Sequence, residues 1–219
     1  MLKQWFLVII VSLVMIMLIG CSESSGPGIT INNMHYNFIP EPSGDQKLFY
    51  KNEVVYMFSS VSGSMVAMTR QSLQDGTGIF VTIRNASKEW IDFEPKDIII
   101  SLESVSGDKK VYPILNGNEY LSQLKNDNTN ASNLSYVFNA AAKGLSGGLL
   151  SVPVSEGQNY SPLETTMLKK NTIFPDKDIN GWFAITHTGV PAFIPDFLKV
   201  VIPVGKTTHT FVLRVKKST

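Results

Sequence analysis

The chain has 219 residues, of which 43% are hydrophobic and 17% charged, and its formal net charge is +1. This length and apolar fraction are enough for one domain with a substantial core. The near-neutral charge, without a basic stripe, argues against a nucleic-acid-binding protein, because such binding depends on neutralising phosphates.

Near the start of the sequence, Lys3 precedes an apolar run at residues 5–19. A transmembrane helix needs roughly twenty apolar residues to cross a hydrocarbon core of about 30 Å, so this run is short for a span and suits a signal-peptide core. Residues 22–26 are polar or glycine and end the run abruptly. We therefore expect residues 1–20 to be a signal peptide, and we keep an N-terminal membrane span as the less favoured interpretation.

The sequence Leu18-Ile19-Gly20-Cys21 resembles the lipobox of bacterial lipoproteins, in which a small residue precedes a cysteine that is acylated after the leader is removed. Cys21 is the only cysteine in the chain, so it has no disulfide partner within it. The resemblance implies lipid attachment at Cys21, and two or more acyl chains give stable membrane anchoring. Ser22 replaces the aspartate that this family associates with inner-membrane retention, which implies an outer-membrane protein facing the periplasm. In an organism with one membrane, the same anchor implies the outer face of the plasma membrane.

Residues 21–28 are rich in Ser, Gly and Pro and predict a lipidated tether, followed by a single domain at residues 29–219. Alternating or β-branched apolar runs, separated by turn residues, predict an extended or strand structure in the first half of this domain. These runs are residues 29–38, 53–59, 65–73, 78–85, 90–93, 97–103 and 109–115. Short strands at close, regular spacing favour a sandwich or a barrel.

The middle of the chain changes to helical periodicity. Apolar side chains fall at helical spacing in residues 132–145, where Ser132 and Gly144 can serve as the N-cap and C-cap. A shorter helix is predicted at residues 119–125.

The sequence Ser161-Pro162-Leu163-Glu164 has the form of a capping box with proline at the first helical position, and it predicts a third helix at residues 162–172. Leu163, Met167 and Leu168 would form its buried face.

Strand periodicity returns at residues 181–188, 197–204 and 207–216. We interpret the order as a mainly β fold, an immunoglobulin-like β-sandwich with a helical insertion (α+β) at about residues 118–173, because so long a connection exceeds ordinary loops. Two subdomains are the alternative.

Several strand sequences resemble those of immunoglobulin-like periplasmic lipoproteins, a group that implies a fold but no shared catalytic residues. They are Val81-Thr82-Ile83-Arg84-Asn85, Phe93-Glu94-Pro95-Lys96-Asp97-Ile98, Ile179-Asn180-Gly181-Trp182-Phe183 and the strand at residues 205–215. The Cys, Trp and Cys signature of antibody domains is absent from the sequence.

The sequence Gly144-Leu145-Ser146-Gly147-Gly148 fits the G-x-S-x-G pattern of a hydrolase nucleophile. His187 or His209, with Asp176, Asp178 or Asp196, could complete a triad around Ser146. The nucleophile elbow requires a strand before the serine and a helix after it, whereas here a predicted helix precedes Ser146. A helix C-cap followed by a loop is the preferred interpretation.

The sequence Asp176-Lys177-Asp178-Ile179-Asn180-Gly181 matches the opening of a calcium-binding loop, D-x-D-x-N-G. The twelfth position is His187, where a bidentate Glu is needed. We favour a polar turn that enters a strand, and we predict no metal site and no cofactor.

These features indicate a lipid-anchored envelope protein that acts as a non-enzymatic binding, accessory or structural module. We expect it to contact an envelope protein partner through an edge strand or through the insertion, and not to bind nucleic acid. The alternative is an anchored hydrolase or small-ligand-binding protein that uses the region of Ser146.

Overall fold

The computed structural model describes residues 28–31, 34–51, 54–73, 76–115, 119, 122, 166–186 and 191–217. Cys21, Ser146 and His187 lie outside these residues, as do most residues of the first two predicted helices. Within the described part of the chain, no helix is long and apolar enough to cross a membrane.

The described residues are mainly β, with antiparallel sheets. Thirteen strands are described, together with a short 3₁₀-helix at Pro95–Asp97. The strands are β1 Gly28–Ile31, β2 Met34–Pro40, β3 Lys47–Lys51, β4 Val54–Val61, β5 Ser64–Leu73, β6 Gly76–Asn85, β7 Ile91–Phe93, β8 Ile99–Glu103, β9 Lys109–Tyr112, β10 Asn171–Ile173, β11 Asp178–Thr186, β12 Phe197–Val204 and β13 Thr207–Lys217.

The strands form two large sheets and one small one. The six-stranded sheet has the order β1-β2-β13-β12-β8-β9, and the five-stranded sheet has the order β11-β6-β5-β4-β3. Strands β10 and β7 form a two-stranded ribbon. All the paired strands run antiparallel, so hairpin turns connect several neighbours directly.

Side chains from both large sheets form one hydrophobic cluster. Alternate residues of β12 and β13 point into it, including Val200 and Ile202 from β12 and Phe211 from β13. Ile83 and Met68 contribute from the five-stranded sheet. Because residues alternate between the two faces of a strand, the period of two in the sequence defines the buried face.

A second buried layer lies on the opposite face of the five-stranded sheet. Tyr56, Phe80 and Trp182 are fully buried, yet none belongs to the central cluster. Phe80 and Trp182 are paired across β6 and β11, and their rings stack with centroids 6.4 Å apart. Both faces of this sheet are therefore covered at its centre.

The structure confirms most of the predicted strands. The runs predicted at residues 53–59 and 65–73 correspond to β4 and β5, which a turn at Ser62 and Gly63 connects. The strand predicted at residues 197–204 is β12. The single extended segment predicted at residues 29–38 is instead two antiparallel strands, β1 and β2. The sequence interpretation did not include β3.

The third predicted helix is wrong in its described part. Residues 166–170 are not helical, and Asn171–Ile173 is a strand paired with β7. Leu168 donates a backbone hydrogen bond to Trp182 O at 2.7 Å, and Met167 forms an isolated parallel bridge with Trp182. Met167 and Leu168 are buried as predicted, but against β11 and not as one face of a helix.

Gly181 makes this approach possible. A Cβ atom at this position would lie 2.8 Å from the Leu168 backbone, which is closer than real Cβ contacts allow. The absence of a side chain thus lets the segment before β10 lie directly on β11.

Candidate functional site

A buried cluster of hydrogen-bonded polar side chains surrounds His209, which projects inward from β13. His209 Nε2 is 2.8 Å from Ser64 Oγ, and His209 Nδ1 is 2.9 Å from Ser59 Oγ. Ser64 Oγ is also 2.6 Å from Thr207 Oγ1 and donates to Val61 O at 3.0 Å. The cluster therefore links β13 of the six-stranded sheet to β4 and β5 of the five-stranded sheet.

Burial controls the protonation of this histidine. His209 has no exposed surface, and burial lowers its pKa from 6.5 to about 4. The ring is neutral at pH 7, so one nitrogen donates a hydrogen bond and the other accepts one. Because Ser64 donates its hydroxyl proton to Val61 O, His209 Nε2 donates to Ser64 Oγ, and His209 Nδ1 accepts from Ser59 Oγ.

The cluster brings a serine and a histidine together but lacks the other parts of a hydrolytic site. Ser59 occupies the position next to Nδ1, where a triad places the carboxylate that orients the ring and stabilises imidazolium. Ser64 and His209 are 1% and 0% exposed, so substrate has no access to the serine oxygen. This cluster is suited to joining two sheets and not to acyl transfer.

The structure separates the described residues that were candidates for a triad. Asp196 lies just before β12, where its carboxylate accepts from Val105 N at 2.8 Å and its carbonyl accepts from Val215 N. His209 lies six positions before Val215 on β13, at the other end of that strand. Asp176 and Asp178 are exposed on the turn and strand that lead into β11.

The calcium-loop sequence forms the turn and strand that we favoured. Pro175 and Asp176 form the turn, and β11 begins at Asp178. Asn180 donates to Asp178 Oδ2 at 3.1 Å along the strand and accepts from Thr82 on β6. Among the described residues, no group of three or more His, Cys, Asp or Glu side chains could hold a metal ion.

Arg70 is a second polar group between the large sheets. Its guanidinium lies 4.7 Å from the centre of the Phe38 ring, and Nη2 donates to Phe38 O at 3.3 Å. The Nε and Nη1 atoms are buried without a hydrogen-bond partner, and burial lowers the pKa of Arg70 to about 9. The side chain remains charged at pH 7, so the cation–π contact only partly offsets the cost of its burial.

Strand β3 forms an open edge of the five-stranded sheet. It pairs with β4 on one side, and no described strand pairs with its other side. Tyr50 is 73% exposed, and Phe49 stacks on Tyr56 with ring centroids 4.8 Å apart. Within the described part of the chain, this edge has no strand partner and carries aromatic side chains, an arrangement that can accept an added strand.

Two other sheet edges differ from β3 in what lies along them. The edge at β11 is covered by Leu115, which donates to Ala184 O at 3.1 Å, and by the segment at Leu168. The edge at β9 carries two adjacent lysines, Lys109 and Lys110, and lysines on an edge discourage pairing with another strand. Strand β3 also has lysines, but only at its two ends, Lys47 and Lys51, with three apolar residues between them.

Sequence reasoning did not find Ser59, Ser64, Arg70 or the β3 edge as notable features. Ser64 and His209 are 145 residues apart in the chain, and only the packing of two sheets brings them together. A detectable signal was the position of His209 and Arg70 on the inward face of otherwise apolar strands, because a polar residue there must find a partner.

No family model, curated protein or solved structure gives a significant match to this chain.

Proposed function

We propose that the chain is a lipid-anchored envelope protein that acts as a non-enzymatic binding module. In this proposal, Cys21 carries the lipid, residues 21–28 form the tether, and an immunoglobulin-like β-sandwich faces the periplasm from the outer membrane. Support for the anchor comes from the lipobox-like sequence. Support for the sandwich comes from two antiparallel sheets that share one core.

The open edge at β3 is the observation that carries the binding role. A partner in extended conformation would add a strand beside Lys47–Lys51 and gain main-chain hydrogen bonds there. Tyr50 would contribute apolar contact area at low entropic cost, since its ring is already exposed and has few rotatable bonds. The partner we propose is an envelope protein with an extended segment.

The anchor is tested by metabolic labelling with an alkyne analogue of palmitate in a bacterial host. We expect the wild-type chain to be labelled and to lose residues 1–20, as measured by mass spectrometry. Cys21→Ser is the control and should carry no label. A wild-type chain without label, or with an intact leader, would refute the anchor.

The binding edge is tested by placing a photo-crosslinking amino acid at Tyr50 in the full chain expressed in cells. We expect a discrete protein adduct from this position. Val111 provides the matched control, because it is 55% exposed on the lysine-bearing edge at β9. Failure to form an adduct at position 50, or the same adduct at position 111, would contradict binding at β3.

A further inference from the structure

Strand β3 carries a lysine at each end, with three apolar residues between them. Its five residues are Lys47, Leu48, Phe49, Tyr50 and Lys51. Successive residues of a strand belong to opposite faces of the sheet, so positions 47, 49 and 51 share one face and positions 48 and 50 share the other. Leu48 packs against the central cluster, whereas Phe49 stacks on Tyr56 on the opposite face. The two lysine positions therefore lie on the same face as Phe49, one on either side of it.

The charge of Lys47 is not used within the described part of the chain. This residue is exposed, and none of the described ion pairs includes it. Asp45 lies in the turn before the strand and also forms none of these ion pairs. By contrast, Lys109 on the β9 edge pairs with Glu103, with 3.0 Å between Nζ and Oε1. The charge at the start of β3 is thus available to a partner strand.

The positions of the two lysines disfavour pairing of β3 with a second copy of itself. If two copies pair all five residues antiparallel, Lys47 of each copy lies opposite Lys51 of the other, because Phe49 is at the centre. If they pair in parallel and in register, each lysine lies beside the same lysine of the other copy. Like charges directly opposite each other destabilise a strand pair. Both arrangements therefore bring two pairs of like charges together.

The same spacing favours a partner strand with one pattern of charge. Acidic residues opposite Lys47 and Lys51 are four positions apart in the partner and lie on one face of its strand. The position midway between them faces Phe49, which is 37% exposed, so an apolar residue there removes apolar surface from water. The pattern acidic-x-apolar-x-acidic reads the same in both directions, so it suits an antiparallel or a parallel partner strand.

We propose that β3 binds a strand with two acidic residues four positions apart and an apolar residue midway between them, and that it rejects a second copy of this chain. Opposite charges across the pair add to the main-chain hydrogen bonds, whereas like charges repel the competing copy. The lysines protect the edge from self-association and leave it open to one class of partner. This inference rests on the proposed binding role of β3, and it specifies the chemistry of the envelope protein segment that binds there.

The charge of the partner is tested by reversing both lysines in the photo-crosslinking assay, with the full chain expressed in cells. Benzoylphenylalanine at position 50 keeps an aromatic ring there. We expect Lys47→Glu/Lys51→Glu to lower the yield of the partner adduct at least about fivefold, because two attractive pairs become repulsive. Peptide mapping of the adduct formed with both lysines in place should locate the crosslink in a segment with two acidic residues four positions apart.

The matched control is Lys109→Glu/Lys110→Glu, which reverses two lysines on another sheet edge. We expect this variant to form the partner adduct in undiminished yield. Three results would overturn the charge pattern: a yield that Lys47→Glu/Lys51→Glu leaves unchanged, an equal loss in the control, or a mapped segment without acidic residues.

Rejection of a second copy is tested in the same assay with a single reversal. In antiparallel pairing, Lys47→Glu turns both like-charge pairs into opposite-charge pairs, so we expect an adduct of twice the mass of the chain. Lys47→Glu/Lys51→Glu makes the opposing charges alike again, now both acidic, and should give no such adduct. A yield of self-adduct that does not rise with Lys47→Glu would show that the lysines do not control self-pairing.

Failure of the binding role gives a different result from failure of the charge pattern. No partner adduct from position 50 with both lysines in place refutes binding at β3, and with it this inference. A partner adduct that forms equally with either charge leaves the binding role standing and refutes the charge pattern alone.

Discussion

His209 illustrates how a single polar residue can be accommodated between two apolar sheets. Both ring nitrogens have serine partners, at 2.8 and 2.9 Å, and both serines come from the other sheet. A buried imidazole without these partners would cost free energy, whereas the hydrogen bonds offset that cost and fix the relative position of β13, β4 and β5. The same burial makes this contact sensitive to acid.

We predict that His209 contributes stability above pH 6.5 that is lost as the pH falls toward 4. Burial lowers the pKa of His209 to about 4 in the folded chain, whereas the unfolded chain has the ordinary value near 6.5. Between these values only the unfolded state binds the proton, so acid favours unfolding. The shift corresponds to about 3 kcal/mol in the free energy of unfolding.

Urea unfolding of wild type and of His209→Gln between pH 7.5 and 4 measures this contribution. At pH 7.5 the variant should be less stable, because it disrupts the links to Ser59 and Ser64. Its disadvantage should shrink as the pH falls, since the variant has no proton to take up at this position. Parallel curves over the whole range would show that His209 is not the group responsible.

At the scale of the strand, sequence periodicity was reliable wherever one face of the strand lies against the core. Strand β12 alternates between half-exposed and buried residues along its whole length, and its bounds were predicted correctly. Strand β3 lacks such a signal, because Leu48, Phe49 and Tyr50 are consecutive apolar residues on an edge. An edge strand needs no strict alternation, so its sequence is less informative.

The misassigned helix shows a local signal that tertiary pairing overrides. The spacing of Leu163, Met167 and Leu168 suits a helical face, and the preceding sequence suits a cap. In the fold, the backbone of Leu168 instead pairs with Trp182, across the gap that Gly181 leaves. Local propensity is weak compared with a buried backbone hydrogen bond, and the partner lies too far along the chain to be recognised locally.

The polar clusters were the least predictable part of the candidate sites. Asn85 bonds locally to Glu89 O, four residues along the chain, but its second bond, to Ile173 O, depends on a strand 88 residues away. The same holds for Ser59 and His209. Sequence periodicity indicates which residues face inward, whereas the pairing of inward residues depends on how two sheets pack.

At the scale of the whole molecule, one shared core predicts that the two large sheets unfold together. The hydrophobic cluster contains residues from β2, β8, β12 and β13 on one side and from β4, β5, β6 and β11 on the other. Neither sheet can expose its inner face without removing the partner of the other.

Ile100→Ala, in the six-stranded sheet, should therefore destabilise the sheet that it does not belong to. Ile100 is fully buried on β8, and removing its side-chain carbons should lower the free energy of unfolding by about 3 kcal/mol. With Trp5 and Trp90 replaced by Phe in every variant, tryptophan fluorescence comes from Trp182 alone and reports on the five-stranded sheet, whereas far-UV circular dichroism reports on all strands. We expect urea transitions measured by both signals to shift together.

Ile99→Ala is the control. The Ile99 side chain, next to Ile100 in the chain, is 46% exposed, so its truncation should change the urea midpoint little. A variant in which the circular dichroism shifts while the Trp182 transition stays in place would show that the sheets unfold separately.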